Sequence, residues 1–388
     1  MRNARIYLDH NATSPLRPEV REVLSQFSTH SLSNPSSVHT SGRRARKAVD
    51  EAREEVARRI GARPSEILFT SGGTESNALA WQVFSQAGET LVTSNMEHPC
   101  VLAAAQKADD RGARVSYVGA ERTGGLRKSD FEAYTASPVK FVSIQHANNE
   151  TGVVHPLPTM IQQAKAASAA FHTDAVQSVG KLPIDVAELG VDYLSLSGHK
   201  LGALSGIGAL YVRKGSPLEP IWSGGHQEKG RRTGTENVLG ILSLGAACRA
   251  LRDHGVEENR RVERLRNLLE SELLNRIPGT QVTGRAETRL PNTTHLMFEN
   301  VDGESLLIAA DLEGIDGSTG AACASGSLEP SHVLLAMGFS PTQAHGSLRL
   351  SLGWSTTQAD IDRVVELLPK LVAQVREVRQ NIRPRLAL

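Results

Sequence analysis

The stretch Ser195-Leu196-Ser197-Gly198-His199-Lys200 closes a short apolar run that begins at Val191. Alternation of apolar and small polar residues over this run predicts a β-strand, and Gly198 predicts where the strand ends. A histidine and a lysine therefore stand side by side at a strand end. A lysine in that place can also be an ordinary surface residue, so the stretch alone leaves the purpose of Lys200 open.

Polar side chains follow three other predicted strands in the same way. They belong to Asp174-Ala175-Val176-Gln177, Asn148-Asn149-Glu150 and Glu97-His98-Pro99. The carboxyl ends of parallel strands meet at one edge of a sheet, where α/β proteins bind their ligands. Folding alone gives little reason for polar groups at successive strand ends, so the sequence predicts a site on that edge.

Strands alternate with helical patterns through the first part of the chain. The predicted strands cover residues 67–70, 90–94, 115–119, 140–144, 171–173, 193–197 and 207–212. Strands interleaved with helices are typical of an α/β domain. We therefore expect a mainly parallel seven-stranded sheet flanked by helices, plus a smaller α+β domain toward the C-terminus.

The length of the chain sets the expected domain organisation. A chain of 388 residues is too long for one compact core. Residues 15–255 are predicted to form the large domain, and residues 1–14 and 256–388 the small one.

Two further segments of the chain carry expectations of their own. Helical patterns at 238–253 and 257–276 are expected to bridge the two domains. Residues 317–330 are rich in Gly, Ala and Ser, with too little side chain to pack a core. This composition predicts a mobile surface loop, and Cys323 lies on it.

Composition and charge exclude several broad classes of protein. The formal net charge is +1, so strong direct binding to nucleic acid is not expected. No apolar run approaches the roughly 18 residues that a membrane span needs, and the N-terminal residues lack the apolar core of a signal peptide. The cysteines Cys100, Cys248 and Cys323 lie far apart, without metal-ligand spacing. These features predict a cytoplasmic protein with no metal site and no disulfide framework.

A lysine among such polar groups indicates one kind of cofactor. A lysine amine condenses with an aldehyde to form a Schiff base, and pyridoxal phosphate is the main cofactor held in this way. Its pyridine nitrogen needs a carboxylate, its phosphate needs N–H and O–H donors, and its ring needs a flat group over one face. Lys200, Asp174 and His98 could supply the amine, the carboxylate and the flat group.

Donors for the phosphate are expected at the turn Ser71-Gly72-Gly73-Thr74-Glu75. Glycines between a strand and a helix let backbone N–H groups converge on an anion, and the helix dipole adds to the attraction. Ser197 and His199 could add side-chain donors. Each residue also has an ordinary structural explanation, since Asp174 could cap a helix and His98 could pack in the core. Their joint presence in one domain favours a pyridoxal phosphate site.

Ordered motifs from Tyr7-Leu8-Asp9 to about Leu352 carry a family resemblance. In sequence order they are Asn34-Pro35-Ser36-Ser37-Val38-His39, Phe69-Thr70-Ser71-Gly72-Gly73-Thr74-Glu75-Ser76-Asn77, Glu97-His98-Pro99, Asn148-Asn149-Glu150-Thr151-Gly152, Asp174-Ala175-Val176-Gln177, Ser197-Gly198-His199-Lys200, Arg231-Arg232-Thr233-Gly234-Thr235-Glu236-Asn237, Ala322-Cys323-Ala324-Ser325-Gly326 and Arg349-Leu350-Ser351-Leu352-Gly353. With these motifs the chain resembles the cysteine desulfurases of the NifS/IscS-like group, in the class V aminotransferase family with the fold-type-I pyridoxal phosphate architecture. The resemblance implies a homodimer that uses pyridoxal phosphate to remove sulfur from L-cysteine and release L-alanine.

The resemblance also implies a role for each residue around the cofactor ring. Lys200 would form the Schiff base and later move protons at the substrate Cα, and His98 would stack on the ring as an acid or base. Asp174 would pair with the pyridinium nitrogen. Gln177 and Asn149 would contact the ring hydroxyl.

Phosphate and substrate contacts are implied in the same way. The phosphate-binding residues would be Gly73, Thr74, Ser197, His199 and, from a second subunit, Thr235. Arg349 would bind the substrate carboxylate, a bidentate task that suits a guanidinium. Asn149 would also contact the substrate.

Cys323 is the residue that would distinguish a desulfurase from other enzymes on this scaffold. Its thiolate would attack the substrate sulfur and leave a persulfide for transfer to an acceptor protein. Cys248 lies within a helical run and is expected to be a packed side chain, while Cys100 is not expected to be catalytic. The acceptor could serve iron–sulfur cluster assembly, tRNA thiolation or another thio-modification, and the sequence does not choose among them.

Other functions remain open from the sequence. A transaminase or lyase on the same scaffold would use Lys200 and Asp174 but would not need Cys323. Selenocysteine lyase activity is a neighbouring alternative. A non-enzymatic subunit could hold pyridoxal phosphate only structurally, although the presence of Lys200, Cys323 and Arg349 together argues against it.

Overall fold

The computed structural model describes residues 5–28, 33–319 and 329–382. The strands are β1 (Ile6–Tyr7), β2 (Ile67–Thr70), β3 (Thr90–Ser94), β4 (Arg114–Val118), β5 (Phe141–Ser143), β6 (Ala170–Asp174), β7 (Tyr193–Ser197), β8 (Gly208–Val212), β9 (Thr280–Val282), β10 (Thr293–Phe298), β11 (Ile315–Asp316) and β12 (Ser347–Ser351). The α-helices are α1 (Pro18–Ser28), α2 (Thr40–Arg59), α3 (Gly73–Gln82), α4 (Pro99–Asp110), α5 (Lys128–Tyr134), α6 (Leu157–Ala166), α7 (Val186–Leu189), α8 (Val238–Arg276), α9 (Gly303–Leu312), α10 (His332–Ala336), α11 (Pro341–His345) and α12 (Gln358–Ile382). Within these ranges no helix is both long enough and apolar enough to cross a membrane.

Strands β2 to β8 form one seven-stranded sheet in the order β2-β8-β7-β6-β5-β3-β4. Strand β8 pairs antiparallel with β2 and β7, and the other neighbouring pairs are parallel. The predicted mainly parallel sheet is therefore confirmed. Asp174 lies opposite Ser195 near the ends of β6 and β7, so the polar groups that follow these strands share one edge.

Helices cover both faces of this sheet, so its central strands are buried on both sides. Leu194 of β7 points to one face, where its cluster includes Val56 of α2 and Leu244 of α8. Tyr193 points to the other face and belongs to a cluster with Trp81 of α3. Burying one such side chain stabilises the fold by roughly 1.5–3 kcal/mol. The two packed faces therefore fix the register of the strand that leads to Lys200.

A smaller unit is built from the later strands. Strands β9, β10 and β12 form an antiparallel sheet in the order β12-β10-β9, and β1 pairs in parallel with β11. A separate hydrophobic cluster joins this unit to α8, α9 and α12, with Leu269, Leu306 and Leu368 among its members. The expected smaller α+β unit is present as a second core. The domain limits, 15–255 for the large domain and 1–14 with 256–388 for the small one, stay a prediction.

Helix α8 corrects one expectation. The sequence predicted two helices, at 238–253 and 257–276, whereas Val238–Arg276 is one continuous helix. Its first half packs in the large core and its second half in the smaller core. Gly255, which lies at the predicted break, costs only about 1 kcal/mol relative to alanine in a helix. That cost is too small to end a helix that is packed on both sides of the glycine.

The N-terminal segment runs from the smaller core to the large sheet. Asp9 forms a bridge with Ser351 of β12. The chain then continues so that the carbonyl oxygens of Asn11 and Ala12 accept from the amine of Lys200. Residues that are far apart in sequence thus meet at the carboxyl edge of the large sheet.

Candidate active site

A cavity of about 310 Å³ lies where β6 and β7 end. Its lining contains most of the residues predicted for the site, namely Gly73, Thr74, His98, Asn149, Asp174, Gln177, Ser197, His199, Lys200 and Arg349. The lining also contains Asn11, Ala12, Asn77, Cys100, Gln145, Ala147 and Val176. Side chains from separate parts of the sequence therefore line one cavity.

Lys200 lies in a 3₁₀ turn, Gly198–Lys200, directly after β7. Glycine is needed at the start of this turn because a Cβ there would lie 2.7 Å from Ile207 Cγ2. The Lys200 Nζ donates to the carbonyl oxygen of Asn11 at 2.6 Å and to that of Ala12 at 2.7 Å. Backbone acceptors thus hold the amine in the wall of the cavity.

Asp174 is the last residue of β6, and its carboxylate is fixed by two hydrogen bonds. Its Oδ1 accepts from the backbone N–H of Val176 at 2.9 Å, and its Oδ2 accepts from Asn77 Nδ2 at 2.7 Å. Each oxygen keeps a further lone pair. Because the residue is only 7% exposed, its carboxylate is well placed to attract a cationic group inside the cavity.

The start of α3 forms the expected cradle for an anion. The first turn of a helix leaves its N–H groups without acceptors inside the helix. Gly73 begins α3, and a Cβ there would lie 2.7 Å from Val176 Cγ2, so the close approach of the two segments requires glycine. Thr74, Ser197 and His199 line the same cavity. The residues predicted to donate to a phosphate therefore line one cavity, and their role in phosphate binding stays a prediction.

His199 is an uncharged member of this cradle. Its Nδ1 lies 3.0 Å from Thr13 Oγ1. Burial, with the charge of Lys200 adding, lowers the pKa of His199 to about 4. Near neutral pH the ring is therefore a hydrogen-bonding group without a charge.

The geometry of His98 decides which ring nitrogen carries a proton. His98 caps the start of α4, and its Nδ1 accepts from the backbone N–H of Cys100 at 3.2 Å. Because a backbone N–H can only donate, the proton of the neutral ring lies on Nε2. Burial lowers the pKa of His98 below its usual value, although the carboxylate of Asp174 opposes this shift. The neutral ring with an Nε2–H group is thus the favoured form in the cavity.

Cys100 lines the cavity, which was not anticipated from the sequence. Its Sγ lies 3.0 Å from His98 Nδ1 and accepts from Asn77 Nδ2 at 3.3 Å. Burial, followed by the charge of Asp174, raises the pKa of Cys100 to about 11. The group is a protonated thiol near neutral pH and therefore a poor nucleophile. Its position two residues after His98 is the signal that could have placed it here.

Arg349 reaches the cavity from β12 and is 2% exposed. Its Nη2 donates to Asp9 Oδ1 at 2.8 Å, and its Nη1 donates to the carbonyl oxygen of Asn149 at 3.2 Å. Among the described residues its Nε finds no hydrogen-bond acceptor. A buried guanidinium with an unused N–H group is suited to a carboxylate ligand.

Asn11, which was not predicted as a site residue, links several of the predicted residues. Its carbonyl oxygen accepts from Gln177 Nε2 at 3.0 Å as well as from Lys200. Its Nδ2 donates to the carbonyl oxygen of Asn149 at 3.1 Å. The position of Asn11 just after Tyr7-Leu8-Asp9, where the resemblance begins, is the signal that could have found it.

Two predicted residues are not placed in this cavity. Thr235 is exposed and does not belong to the lining formed by its own chain, and its contact with a second subunit stays a prediction. Cys323 lies outside the described residues. The remaining thiol, Cys248, is fully buried in α8, so the expectation of a packed side chain is confirmed.

The fold and the site define a class of protein. The family model for class-V aminotransferases matches residues 6–364, and the chain belongs to this family.

The chain is also similar to individual proteins and to solved structures. The cysteine desulfurase of Gluconacetobacter diazotrophicus is 47% identical over 381 residues, which cover 96% of this chain and 94% of that one. The solved structure of a NifS-like protein matches with a TM-score of 0.88 at 34% identity, over 95% of this chain and 99% of that one. A structure of SspA in complex with cysteine matches with a TM-score of 0.77 at 33% identity, over 90% of this chain and 99% of that one.

Proposed function

We propose that this protein is a pyridoxal-phosphate-dependent cysteine desulfurase, which converts L-cysteine to L-alanine and leaves the sulfur as a persulfide on Cys323. The observation that carries the proposal is a single cavity that holds Lys200, Asp174 and Arg349. An amine, a carboxylate and a guanidinium suit the aldehyde and pyridine nitrogen of the cofactor and the carboxylate of an amino acid. Cysteine as the substrate is supported by the desulfurase relative and by the neighbouring structure with cysteine.

The residues of the cavity fit pyridoxal phosphate. Gly73 leaves the N–H groups at the start of α3 without side-chain cover, and Thr74, Ser197 and His199 would add donors to the phosphate. The fixed carboxylate of Asp174 would keep the pyridine nitrogen protonated. When bound, the cofactor supplies an aldehyde that condenses with amines and a ring that accepts the electron pair left at the substrate Cα.

His98 and Lys200 are the residues that would move protons. His98, neutral and protonated on Nε2, would cover one face of the ring and offer an acid at that face. Lys200 Nζ would take the proton from the substrate Cα and return it during the reaction. Gln177 and Asn149 would hold the ring hydroxyl.

Arg349 would bind the carboxylate of the substrate. Asp9 holds one end of the guanidinium at 2.8 Å, which fixes its orientation before a ligand arrives. The Nε–H group, which has no acceptor among the described residues, and the remaining Nη hydrogens would then face the substrate carboxylate. Asn149 would contact the substrate beside Arg349.

Cys323 would act as the nucleophile toward sulfur. Its thiolate attacks the sulfur of the substrate, so an S–S bond forms while the Cβ–S bond breaks. The electron pair of the broken bond stays with carbon, where a proton replaces the sulfur and alanine results. Cys100 and Cys248 are unsuited to this step because burial raises the pKa of their thiols to about 11 and about 12.

Partners and location follow from the same proposal. The protein would act as a homodimer, in which Thr235 contributes to the phosphate site of the other subunit. An acceptor protein would take the outer sulfur of the persulfide for iron–sulfur cluster assembly, tRNA thiolation or another thio-modification. We propose a cytoplasmic location, which a reducing environment for Cys323 would suit.

The test is to supply the purified protein with pyridoxal phosphate, L-cysteine and a thiol reductant, and to measure sulfide and alanine. Cys323→Ser is expected to abolish sulfide release, because serine cannot take up the sulfur, while the absorbance band of the cofactor remains. Cys248→Ala removes a thiol from the core and is the matched control, with its folding checked by thermal melting. It is expected to keep its activity.

Two outcomes would contradict the proposal. Full sulfide release by Cys323→Ser would show that another group accepts the sulfur. Transfer of the amino group of an amino acid to a keto acid, without sulfide from L-cysteine, would identify the protein as a transaminase.

A further inference from the structure

Lys181 lies beside the cofactor cavity, and the proposed function gives it no role. It follows β6 in the chain, seven residues after Asp174. Its Nζ donates to Gln177 Oε1 at 2.9 Å and to Asn11 Oδ1 at 3.2 Å. It also lines a second, smaller cavity together with Lys200. A lysine in such an enclosed place is costly unless its amine has acceptors, and here it has two.

The surrounding structure fixes Lys181 and its acceptors. Asn259 Nδ2 of α8 donates to the carbonyl oxygens of Gly180 at 2.9 Å and Lys181 at 3.1 Å. Asn11 Oδ1 also accepts from Asn292 Nδ2 at 3.0 Å. The backbone at Lys181 and the Asn11 acceptor are therefore both held in place, and movement of the amine would break its bonds to Gln177 and Asn11.

These contacts decide which way the amide of Gln177 faces. An ammonium can only donate, and the carbonyl oxygen of Asn11 can only accept. The amide oxygen of Gln177 must therefore face Lys181, and its Nε2 must face Asn11, 3.0 Å away. Asn11 uses one hydrogen of Nε2, which leaves the second hydrogen as the donor that Gln177 can offer to the cavity it lines.

We propose that Lys181 is a positioning residue, which holds the Gln177 amide so that an N–H group faces the ring hydroxyl oxygen of pyridoxal phosphate. This inference rests on the proposed function. An N–H donor stabilises the ionised form of that oxygen, whereas an amide oxygen would repel it. With the cofactor bound, Gln177 would donate this N–H group to the hydroxyl oxygen and favour its ionised form. The contact would therefore lower the pH at which the bound cofactor gives up a proton.

Lys181 could affect the bound cofactor through its charge or through its N–H groups, and these two effects have to be distinguished. The titratable groups around it are Lys200, Arg349, His10, Arg17 and Glu258. Burial, with the charges of Lys200 and Arg349 adding, lowers the pKa of Lys181 to about 7. A neutral amine still has two N–H groups, enough for its two acceptors. Because the carbonyl oxygen of Asn11 can only accept in either state, the orientation of Gln177 persists after deprotonation, whereas a direct effect of charge does not.

The test follows the absorbance of the bound cofactor in the holoenzyme against pH, without substrate. Lys181→Met removes the donor at similar length and is expected to raise the pH midpoint on the order of one unit, the size of one charge-assisted hydrogen bond. In a Gln177→Leu background, the same change is expected to move the midpoint little, because the amide it acts through is gone. Lys181→Arg keeps the donors and is the matched control, expected to keep the midpoint.

Two outcomes would overturn the proposal. An equal shift of the midpoint in both backgrounds would show that Lys181 acts directly through its charge. An unchanged midpoint in Lys181→Met would show that Lys181 does not affect the cofactor. If Lys181→Met does not fold, as judged by thermal melting, Lys181→Gln replaces it, because glutamine keeps an N–H donor without a charge. A retained midpoint in that variant supports the proposal, and a raised midpoint overturns it. A wild-type protein that binds no pyridoxal phosphate would overturn the proposed function itself.

Discussion

Asp9 and Arg349 form a largely buried ion pair, in which one N–H group of Arg349 is unused among the described residues. Removing two charges from water is costly, and the pair repays this cost only when its hydrogen bonds are made. Asp9 meets this condition, since its Oδ1 accepts from Arg349 and its Oδ2 accepts from Ser318 Oγ at 2.9 Å. Arg349 does not, because its Nε has no acceptor in the part of the chain that the structure describes. The unused group supports the assignment of Arg349 to the substrate carboxylate.

Arg349→Lys tests this assignment. A lysine keeps the charge but cannot make the bidentate contact, so the KM for L-cysteine is expected to rise about 10- to 100-fold, equivalent to about 1.4–2.7 kcal/mol. The absorbance of the bound cofactor should not change, because Arg349 makes no contact assigned to the ring. Arg363→Lys, on the exposed side of α12, is the matched control and should leave KM unchanged. A normal KM in Arg349→Lys would remove the residue from the substrate site.

The individual site residues differ in how far sequence could predict them. Lys200 was predictable because it follows a strand whose apolar pattern is clear. Asp174 was predictable because it ends another such strand. Asn11 was not, because its importance comes from a carbonyl oxygen that meets Lys200 from 189 positions away. Lys181 is close to Gln177 in sequence, but only the position of Asn11 shows that it fixes an amide.

At the scale of elements, α3 shows how a helix start becomes a binding site. Its first residue, Gly73, allows Val176 to approach, and both residues line the cavity. The N–H groups of a first helical turn have no acceptors inside the helix, so they are available to the proposed phosphate. A Cβ at position 73 would lie 2.7 Å from Val176 Cγ2, so Val176 would have to shift beside the proposed phosphate site.

Gly73→Ala is therefore expected to weaken binding of pyridoxal phosphate about tenfold, or about 1.4 kcal/mol. The measurement is a titration of the cofactor-free protein with pyridoxal phosphate, followed by absorbance. Gly255→Ala is the matched control, because α8 has room there, with the nearest atom 3.7 Å from the added Cβ. The control should bind the cofactor normally and gain about 0.5–1 kcal/mol of stability. Unchanged cofactor affinity in Gly73→Ala would contradict the cradle at α3.

The strands of the large sheet could be predicted from the sequence, whereas the continuity of α8 could not. A buried strand such as β7 carries its signal in its own alternation, and all five of its residues are buried. The continuity of α8 depends instead on packing at both ends, in two cores. Gly255 weakens the local helical pattern, but tertiary packing outweighs that local preference.

At the scale of the whole molecule, the site is shared between two cores. Lys200 and Asp174 come from the large sheet, whereas Asp9 and Arg349 come from the β-structure of the smaller core. The sequence predicted two cores from chain length and from the change in element pattern. It could not predict how they meet, because that contact depends on the path of the N-terminal segment past Lys200.

Covalent attachment of the cofactor to Lys200 is the claim on which the proposed chemistry depends. The most direct measurement is to reduce the protein loaded with pyridoxal phosphate using borohydride, digest it, and locate the pyridoxyl group by mass spectrometry. We expect the label on Lys200, which ends the turn after β7 and lines the cavity with Asp174. A label on Lys181 or on any other lysine, or no label at all, would contradict the claim.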